Sequence, residues 1–209
     1  MAPCTAPTPG SRAQYLATIL NEAGLDKAES KARALMEEFG SISGLIEASE
    51  ERLSSALHDE QFFVTSLLAA RKIVSAGIRE AALKTPLNPR SKDLHRYLFQ
   101  NLAHRREEFL IGFFADDYGG FIAEAILAMG DGQGAEVSAR GVLQRTLSHG
   151  AGQFLLVHNH PSKSCAPSRK DLQATRKIRK MASALGISLL DHLIVGGQRI
   201  YSICQGRML

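Results

Sequence analysis

The residues with the clearest capacity for chemistry are two histidines spaced two apart, His158 and His160. The apolar run 155–157 before them predicts a buried strand. Side chains two apart on a strand point to the same face, so both imidazoles should project together. Pro161 ends the strand because it has no amide hydrogen to donate. The sequence therefore predicts a pair of imidazoles at a strand end.

A carboxylate follows at the start of the next predicted helix. Ser168 is a good N-cap, which puts Asp171 in the first turn, facing the strand end. Two imidazoles and one carboxylate, with a fourth position left to water, form the ligand set of a catalytic zinc. Ser-x-x-Asp is also an ordinary capping arrangement that needs no metal. Cys165, in the intervening loop, is either a further ligand or a plain thiol.

Three motifs together resemble the RadC family of bacterial JAB/MPN-type (JAMM) metalloprotease-like proteins. They are His158-Asn159-His160-Pro161-Ser162, Pro167-Ser168-Arg169-Lys170-Asp171 and Leu190-Asp191-His192, and the resemblance runs from about residue 12 to Ser202. It implies a zinc ion held by His158, His160 and Asp171. Ser168 would steady the tetrahedral intermediate beside the metal-bound water. We expect Asn159, Asp191 and His192 to support the site from behind rather than to bind the ion.

One position departs from this family pattern. Relatives carry a glutamate that takes the proton from the zinc water, after an arginine in a Pro-Arg-Glu-like stretch, whereas this chain has Gly141 there. Without a placed base, proton transfer loses about 10²–10⁴-fold. Glu136 lies five positions upstream, an odd number that turns it to the opposite face of a strand. Glu124, from a neighbouring strand, is the other alternative.

Two functions follow from the resemblance. The first is a zinc-dependent metallopeptidase or isopeptidase-like hydrolase acting on a peptide or protein, impaired by Gly141. The second is a non-catalytic zinc protein that works through a partner or DNA, in line with the family's association with DNA repair. The intact ligand set and Ser168 favour the first function, and Gly141 favours the second.

Composition excludes some classes of protein. The chain has 209 residues, 44% hydrophobic and 22% charged, which is typical of a globular protein with a real core. A net charge of +4 permits contact with nucleic acid without demanding it. No apolar run approaches the roughly 18 residues of a membrane span, and no signal peptide is evident. Three scattered cysteines predict free thiols in a reducing cytoplasm.

The pattern of elements predicts a disordered tail over 1–11, a helical domain over 12–77, a linker over 78–90 and the zinc domain over 91–209. The helical domain should contain four short helices, one of them starting with a capping box formed by Asp26 and Glu29. The zinc domain should be an α/β fold of the JAB/MPN, cytidine-deaminase-like type, an antiparallel sheet flanked by helices. Predicted strands cover 108–115, 121–129, 135–139, 153–159, 187–195 and 199–203, with helices over 91–102, 141–148 and 168–185.

Two surfaces bear on partners. In RadC relatives the N-terminal region resembles a helix-hairpin-helix unit whose Gly-x-Gly turn meets a DNA phosphate. The corresponding turn here, 57–60, has no glycine and carries Asp59 and Glu60, which repel phosphate. The helix from Arg169 to Lys180 carries a basic stripe, which is either a weak contact for nucleic acid, a contact for an acidic partner, or a solvated face.

Overall fold

The computed structural model describes residues 9–84, 86–103, 105–130 and 138–209, and the chain divides into two compact units after Ser75. Within these ranges, no helix combines the length and the apolar character that crossing a membrane requires.

The N-terminal unit is helical, as predicted. Its helices are α1 (Pro9–Glu22), α2 (Ala28–Phe39), α3 (Ile42–Glu47), α4 (Glu50–Ala56) and the first part of α5 (Gln61–Ala82). Their amphipathic faces enclose a core in which Leu20, Ala32, Leu53 and Val64 are completely buried. The hairpin turn between α4 and α5 is acidic, with Asp59 next to His58 and Glu60 paired with Lys31.

Several boundaries in this unit differ from the sequence prediction. α1 begins at Pro9, inside the predicted tail, whose residues 1–8 lie outside the described ranges. α2 has no capping box from Asp26, because its N-cap is Lys27 in a left-handed conformation. α4 was not predicted, although the Ser49 hydroxyl caps it by accepting from the Arg52 amide. α5 continues to Ala82, so the first part of the predicted linker is helical.

The second unit is the predicted α/β fold. Its elements are α6 (Lys92–Leu102), β1 (Glu108–Ala115), β2 (Phe121–Gly130), α7 (Ala139–Ser148), β3 (Gln153–Asn159), α8 (Arg169–Ala184), β4 (Ser188–Gly196), β5 (Arg199–Ser202) and β6 (Arg207–Met208). The strands form one six-stranded sheet in the order β2-β1-β3-β4-β5-β6. The first and third strands match the predicted bounds, and the short β6 was not predicted.

One pair of strands differs from the antiparallel arrangement. β3 and β4 run parallel, whereas all other neighbours are antiparallel. Parallel strands need a crossover connection, and α8 provides it between these two. The crossover brings the start of α8 back over the sheet after β3 has ended.

Each face of the sheet has its own apolar core. On one face, α6 and the end of α5 cover residues such as Phe109, Phe113 and Val157. On the other face, α7 and α8 cover Leu110, Phe114, Phe154 and Leu156. His158 shares strand parity with Phe154 and Leu156, so its side chain lies on the face of α7 and α8.

α7 begins in the region where a strand was predicted over 135–139. Ser138 is its N-cap and Ala139 is already helical, so that end of the strand prediction is wrong, while residues 135–137 lie outside the described ranges. Gly141 is the third helical residue, and its amide donates to the Ser138 hydroxyl at 3.0 Å. Its backbone does not have the positive φ that favours glycine, so another residue fits the same angles.

We predict that Gly141→Glu stabilises the fold by about 1 kcal/mol. Glutamate has a better helix propensity than glycine, and three residues after a serine N-cap it completes a capping box. Urea unfolding followed by circular dichroism measures the change, and Gly141→Ala is the control that supplies propensity without the carboxylate. A glutamate variant less stable than wild type would contradict the prediction, showing that the Ser138 hydroxyl, 3.0 Å from an added Cβ, cannot move aside.

Candidate metal centre

The histidine pair lies at the end of β3, as its sequence pattern predicted. The two Nε2 atoms of His158 and His160 are 2.9 Å apart. His158 is buried and His160 is half-buried. The Nδ1 of His160 donates to the Ser164 carbonyl at 2.9 Å, which leaves Nε2 of the neutral ring as a bare lone pair. This lone pair is directed into the space between the two rings.

Asp171 completes the group from α8. Its two carboxylate oxygens lie 3.7 Å from His158 Nε2 and 3.7 Å from His160 Nε2. These distances are too long for hydrogen bonds but close to the separation of about 3.3 Å between ligands of a tetrahedral zinc with 2.0–2.1 Å bonds. The donor types and their spacing therefore fit a divalent cation.

The capping arrangement and the metal arrangement exist together. The Ser168 amide donates to Asp171 Oδ2 at 2.7 Å, and the Asp171 amide donates to Ser168 Oγ at 3.2 Å, so the capping box is formed. The same carboxylate faces both histidines. The two sequence interpretations of Ser-x-x-Asp are therefore compatible, because the cap orients the carboxylate that a metal would use.

The protonation states of His158 and Asp171 suit metal binding. Burial holds the pKa of His158 well below its usual range, aided by the neighbouring His192. Burial opposes ionisation of Asp171, but the adjacent His160 and the hydrogen bonds from Ser168 outweigh it and keep its pKa low. The adjacent Asp171 carboxylate raises the pKa of His160, against the effect of burial. Near neutral pH the site thus offers a neutral His158 and an ionised Asp171, the forms that bind metal.

Glu108 belongs to the same cluster and was not singled out in the sequence. One carboxylate oxygen of Glu108 and one ring nitrogen each of His158 and His160 all lie within 4.8 Å of one another. β1 pairs with β3 so that Leu110 is opposite His158, which brings the start of β1, where Glu108 lies, to the end of β3, which His160 directly follows. The one available signal was a charged residue that opens an otherwise apolar strand.

The pKa of Glu108 responds to both His160 and Asp171. It is half-buried, and this burial raises the pKa of its carboxyl. The charge of His160 acts in the opposite direction, while the Asp171 charge raises the pKa further. Glu108 and Asp171 are therefore two acidic groups that share a pair of histidines.

Asn159 holds the strand that carries Glu108. Its Oδ1 accepts from the Phe109 amide at 2.8 Å, and its Nδ2 donates to the Glu107 carbonyl at 2.9 Å. The side chain of the residue between the two histidines thus clamps the peptide groups on both sides of Glu108. Asn159 supports the site through β1.

His192 and Asp191, the other two residues predicted to support the site, have different contacts. His192 Nε2 lies 2.8 Å from His158 Nδ1, directly behind the ring. Asp191 is buried and accepts from the side chains of Ser202 and Gln205 and from the amides of His192 and Cys204. Among the described residues these contacts order β4, β5 and the C-terminal segment, so Asp191 acts on the site only through its neighbour His192.

Glu124 is not at the site. It is opposite Phe113, five residues along β1 from Glu108 and therefore about 17 Å away. It also lies on the α6 face, where it accepts from the Tyr97 hydroxyl at 3.0 and 3.1 Å and pairs with Arg79 at 3.3 Å. Burial raises the pKa of Tyr97 to about 12, so its hydroxyl remains a donor. The suggestion that Glu124 serves as a base is wrong.

The other sequence candidates lie as follows. Ser168 is exposed at the start of α8, and Gly141 is exposed in the first turn of α7 on the histidine face of the sheet. Glu136 lies outside the described residues. Cys165 is buried, and its Sγ lies 3.6 Å from Met208 Sδ. This packing favours the plain thiol over a further metal ligand.

Comparison with known proteins agrees with the sequence motifs. Residues 88–208, more than half of the chain, match the model of the RadC-like JAB domain. The chain belongs to the RadC family. The matched segment of this RadC-like domain contains the histidine pair, Asp171 and Glu108.

Relatives are similar over most of their length. A UPF0758 protein of Carboxydothermus hydrogenoformans is 30% identical over 200 residues, covering 94% of this chain and 87% of the relative. A UPF0758 protein of Cupriavidus pinatubonensis is 31% identical, covering 93% and 86%. A third, from Ruegeria pomeroyi, is 32% identical over 165 residues, covering 79% and 74%. The N-terminal helical unit is therefore part of the similarity in the first two.

Proposed function

We propose that this RadC-family protein is a zinc-dependent hydrolase of peptide or isopeptide bonds. His158, His160 and Asp171 would hold the ion, and Glu108 would provide the base that was expected at position 141. The observation that carries the proposal is that two carboxylates lie beside one pair of imidazole nitrogens: Glu108 and both histidines have ligand atoms within 4.8 Å of one another, and Asp171 lies 3.7 Å from each histidine.

Each residue has a distinct part in this chemistry. When bound, zinc polarises a carbonyl group and lowers the pKa of water from roughly 15.7 to about 7. The Glu108 carboxylate accepts a proton as the water oxygen attacks the carbonyl carbon, and it returns that proton to the leaving nitrogen. The Ser168 hydroxyl accepts from the Asp171 amide, so its own proton can be donated to the developing oxyanion.

The exposure of the site favours a large substrate. Ser168 is exposed, and the Glu108, His160 and Asp171 side chains are half-buried, so the polar atoms are reached from solvent. A scissile bond on the surface of a protein or peptide can approach such a site without an enclosing cavity. We place the activity in the cytoplasm, where the free thiols of Cys165 and Cys204 remain reduced.

We predict that purified wild-type protein carries close to one zinc per chain and that His158→Ala, His160→Ala and Asp171→Ala each reduce zinc occupancy strongly. Each variant removes one of three ligands, which leaves the ion undercoordinated. Elemental analysis after dialysis measures occupancy, with His58→Ala, an exposed histidine of the other unit, as the control. Near-stoichiometric zinc in the double variant His158→Ala and His160→Ala would contradict the ligand assignment.

We predict that Glu108→Gln lowers hydrolysis of peptide or isopeptide substrates by about 10²–10⁴-fold, the usual contribution of a positioned base. The glutamine keeps the size of the side chain but cannot accept the proton. Glu107→Gln is the matched control, since it changes the exposed carboxylate of the preceding residue, which lies outside the strand.

The same assay tests position 141. Gly141→Glu should leave the rate nearly unchanged, because Glu108 already supplies the carboxylate. A large gain in rate from Gly141→Glu, combined with no effect of Glu108→Gln, would show that the general base belongs at position 141. Full wild-type activity in zinc-free protein would contradict the whole proposal.

A second candidate function is binding of nucleic acid in a repair or replication setting. The observation that favours it is the exposure of all six basic residues along α8, namely Arg169, Lys170, Arg176, Lys177, Arg179 and Lys180. The hairpin turn of the N-terminal unit is unsuited to phosphate, because Asp59 and Glu60 place carboxylates there. Contact through α8 would therefore be weak and independent of sequence.

We predict that any binding of duplex DNA falls steeply with salt and is weakened by Lys177→Glu with Lys180→Glu. Each lost phosphate contact should reduce the slope of log affinity against log salt by about 0.9. Fluorescence anisotropy at increasing salt measures this slope, and Lys72→Glu, exposed on α5, is the control. Tight binding that survives about 200 mM salt and is unaffected by the double variant would contradict a contact through α8.

A further inference from the structure

A chain of buried hydrogen bonds runs behind the histidine pair. Thr175 Oγ lies 2.6 Å from the Asp171 carbonyl oxygen and 2.6 Å from His192 Nδ1. On the other side of that ring, His192 Nε2 lies 2.8 Å from His158 Nδ1. Thr175, His192 and His158 are each less than 5% exposed, so these groups depend on one another for hydrogen bonding.

The short contact between the Thr175 hydroxyl and a carbonyl oxygen favours one direction of the chain. The Asp171 carbonyl can only accept, so the single hydroxyl proton of Thr175 is used there. Thr175 Oγ must then accept from His192, which puts the His192 proton on Nδ1. The Nε2 of this neutral ring is bare and accepts from His158 Nδ1. Neutral His158 therefore carries its proton on Nδ1 and has a bare Nε2.

Either direction leaves one pair of acceptors facing each other. In the direction above, the pair is His158 Nε2 and His160 Nε2 at 2.9 Å, where a cation can bind to both. In the opposite direction, it is the shorter contact between the buried Thr175 and the Asp171 carbonyl. If Thr175 donated to His192 instead, the Thr175 hydroxyl and the Asp171 carbonyl would face each other at 2.6 Å with lone pairs only. His192 would then donate from Nε2, and His158 would carry its proton on Nε2. An imidazole protonated at that nitrogen cannot bind a metal through it.

We propose that Thr175 sets the tautomer of His158 through His192, so that the Nε2 lone pair is available before a metal arrives. Thr175 and His192 are thus positioning residues, since neither faces the ion. The inference rests on the metal site of the proposed function but concerns the metal-free protein. The partner that the arrangement serves is a divalent cation that accepts an imidazole nitrogen.

The chain also joins two of the ligands. It begins at the peptide carbonyl of Asp171 in the first turn of α8 and ends at His158 on β3. Thr175 lies one helical turn after Asp171, which is why its hydroxyl reaches both that carbonyl and the ring on β4. The element that carries the carboxylate ligand therefore also controls the proton of the first histidine ligand.

The decisive measurement is ¹⁵N–¹H NMR of the histidine side chains in metal-free protein, at a pH above the usual histidine pKa of about 6.5. We expect His158 and His192 both to carry the proton on Nδ1. In Thr175→Val, which keeps the shape but has no hydroxyl, His158 should lose this single tautomer, and Co²⁺ affinity should fall by about 10–100-fold. Thr175→Ser should restore both properties.

A matched control exists in the neighbouring helix. Thr146 is also buried, and its hydroxyl also donates to the carbonyl four residues before it, at 2.9 Å from Val142, but no described hydrogen bond joins this hydroxyl to a histidine ring. Thr146→Val should change stability to a similar extent and leave both the His158 tautomer and Co²⁺ affinity as in wild type. A general effect of losing a buried hydroxyl is thereby separated from the effect on His158.

Two results would overturn the inference. One is a wild-type His158 protonated on Nε2, which can be read even if Thr175→Val fails to fold. The other is a folded Thr175→Val with unchanged tautomer and Co²⁺ affinity. If wild type shows the expected tautomers but binds neither Co²⁺ nor Zn²⁺, the proton arrangement is supported while the proposed function fails.

Discussion

The pairing of β1 with β3 is the constraint on which the site depends. With Leu110 opposite His158, the first residue of β1 meets the last histidine of the motif, and Asn159 extends the contact by clamping the peptides around Glu108. A shift of one residue in this register would turn Glu108 to the other face and into the apolar core beneath α6. The clamp and the buried strand interior together make that shift unfavourable.

The parallel pair β3 and β4 provides the second half of the site. Because the crossover is helical, α8 starts close to where β3 ends, and its first turn presents Asp171 to both histidines. β4 then places His192 behind His158. The β3-α8-β4 crossover thus brings together His158, Asp171 and His192, which are distant in sequence.

Local patterns predicted most of the elements and three residues of the candidate site. The histidine spacing, the proline after it and the Ser-x-x-Asp start of α8 are short-range signals, and the described geometry brings those residues together. Glu108 was missed because its role depends on which strands pair and in what register, which no local pattern specifies. Thr175 was missed for a similar reason, since it looks like an ordinary buried helix residue until His192 is placed beside it.

Asp171 has two attachments, one to the start of its own helix and one to the histidines. Its bonds to Ser168 do not involve an ion, so the carboxylate has a satisfied position whether or not a metal is present. The same is true of His160, which is held by the Ser164 carbonyl. Chelation should therefore leave the domain folded, unlike zinc fingers, in which the metal drives folding. The side chains that would bind a metal therefore do not depend on it for their positions.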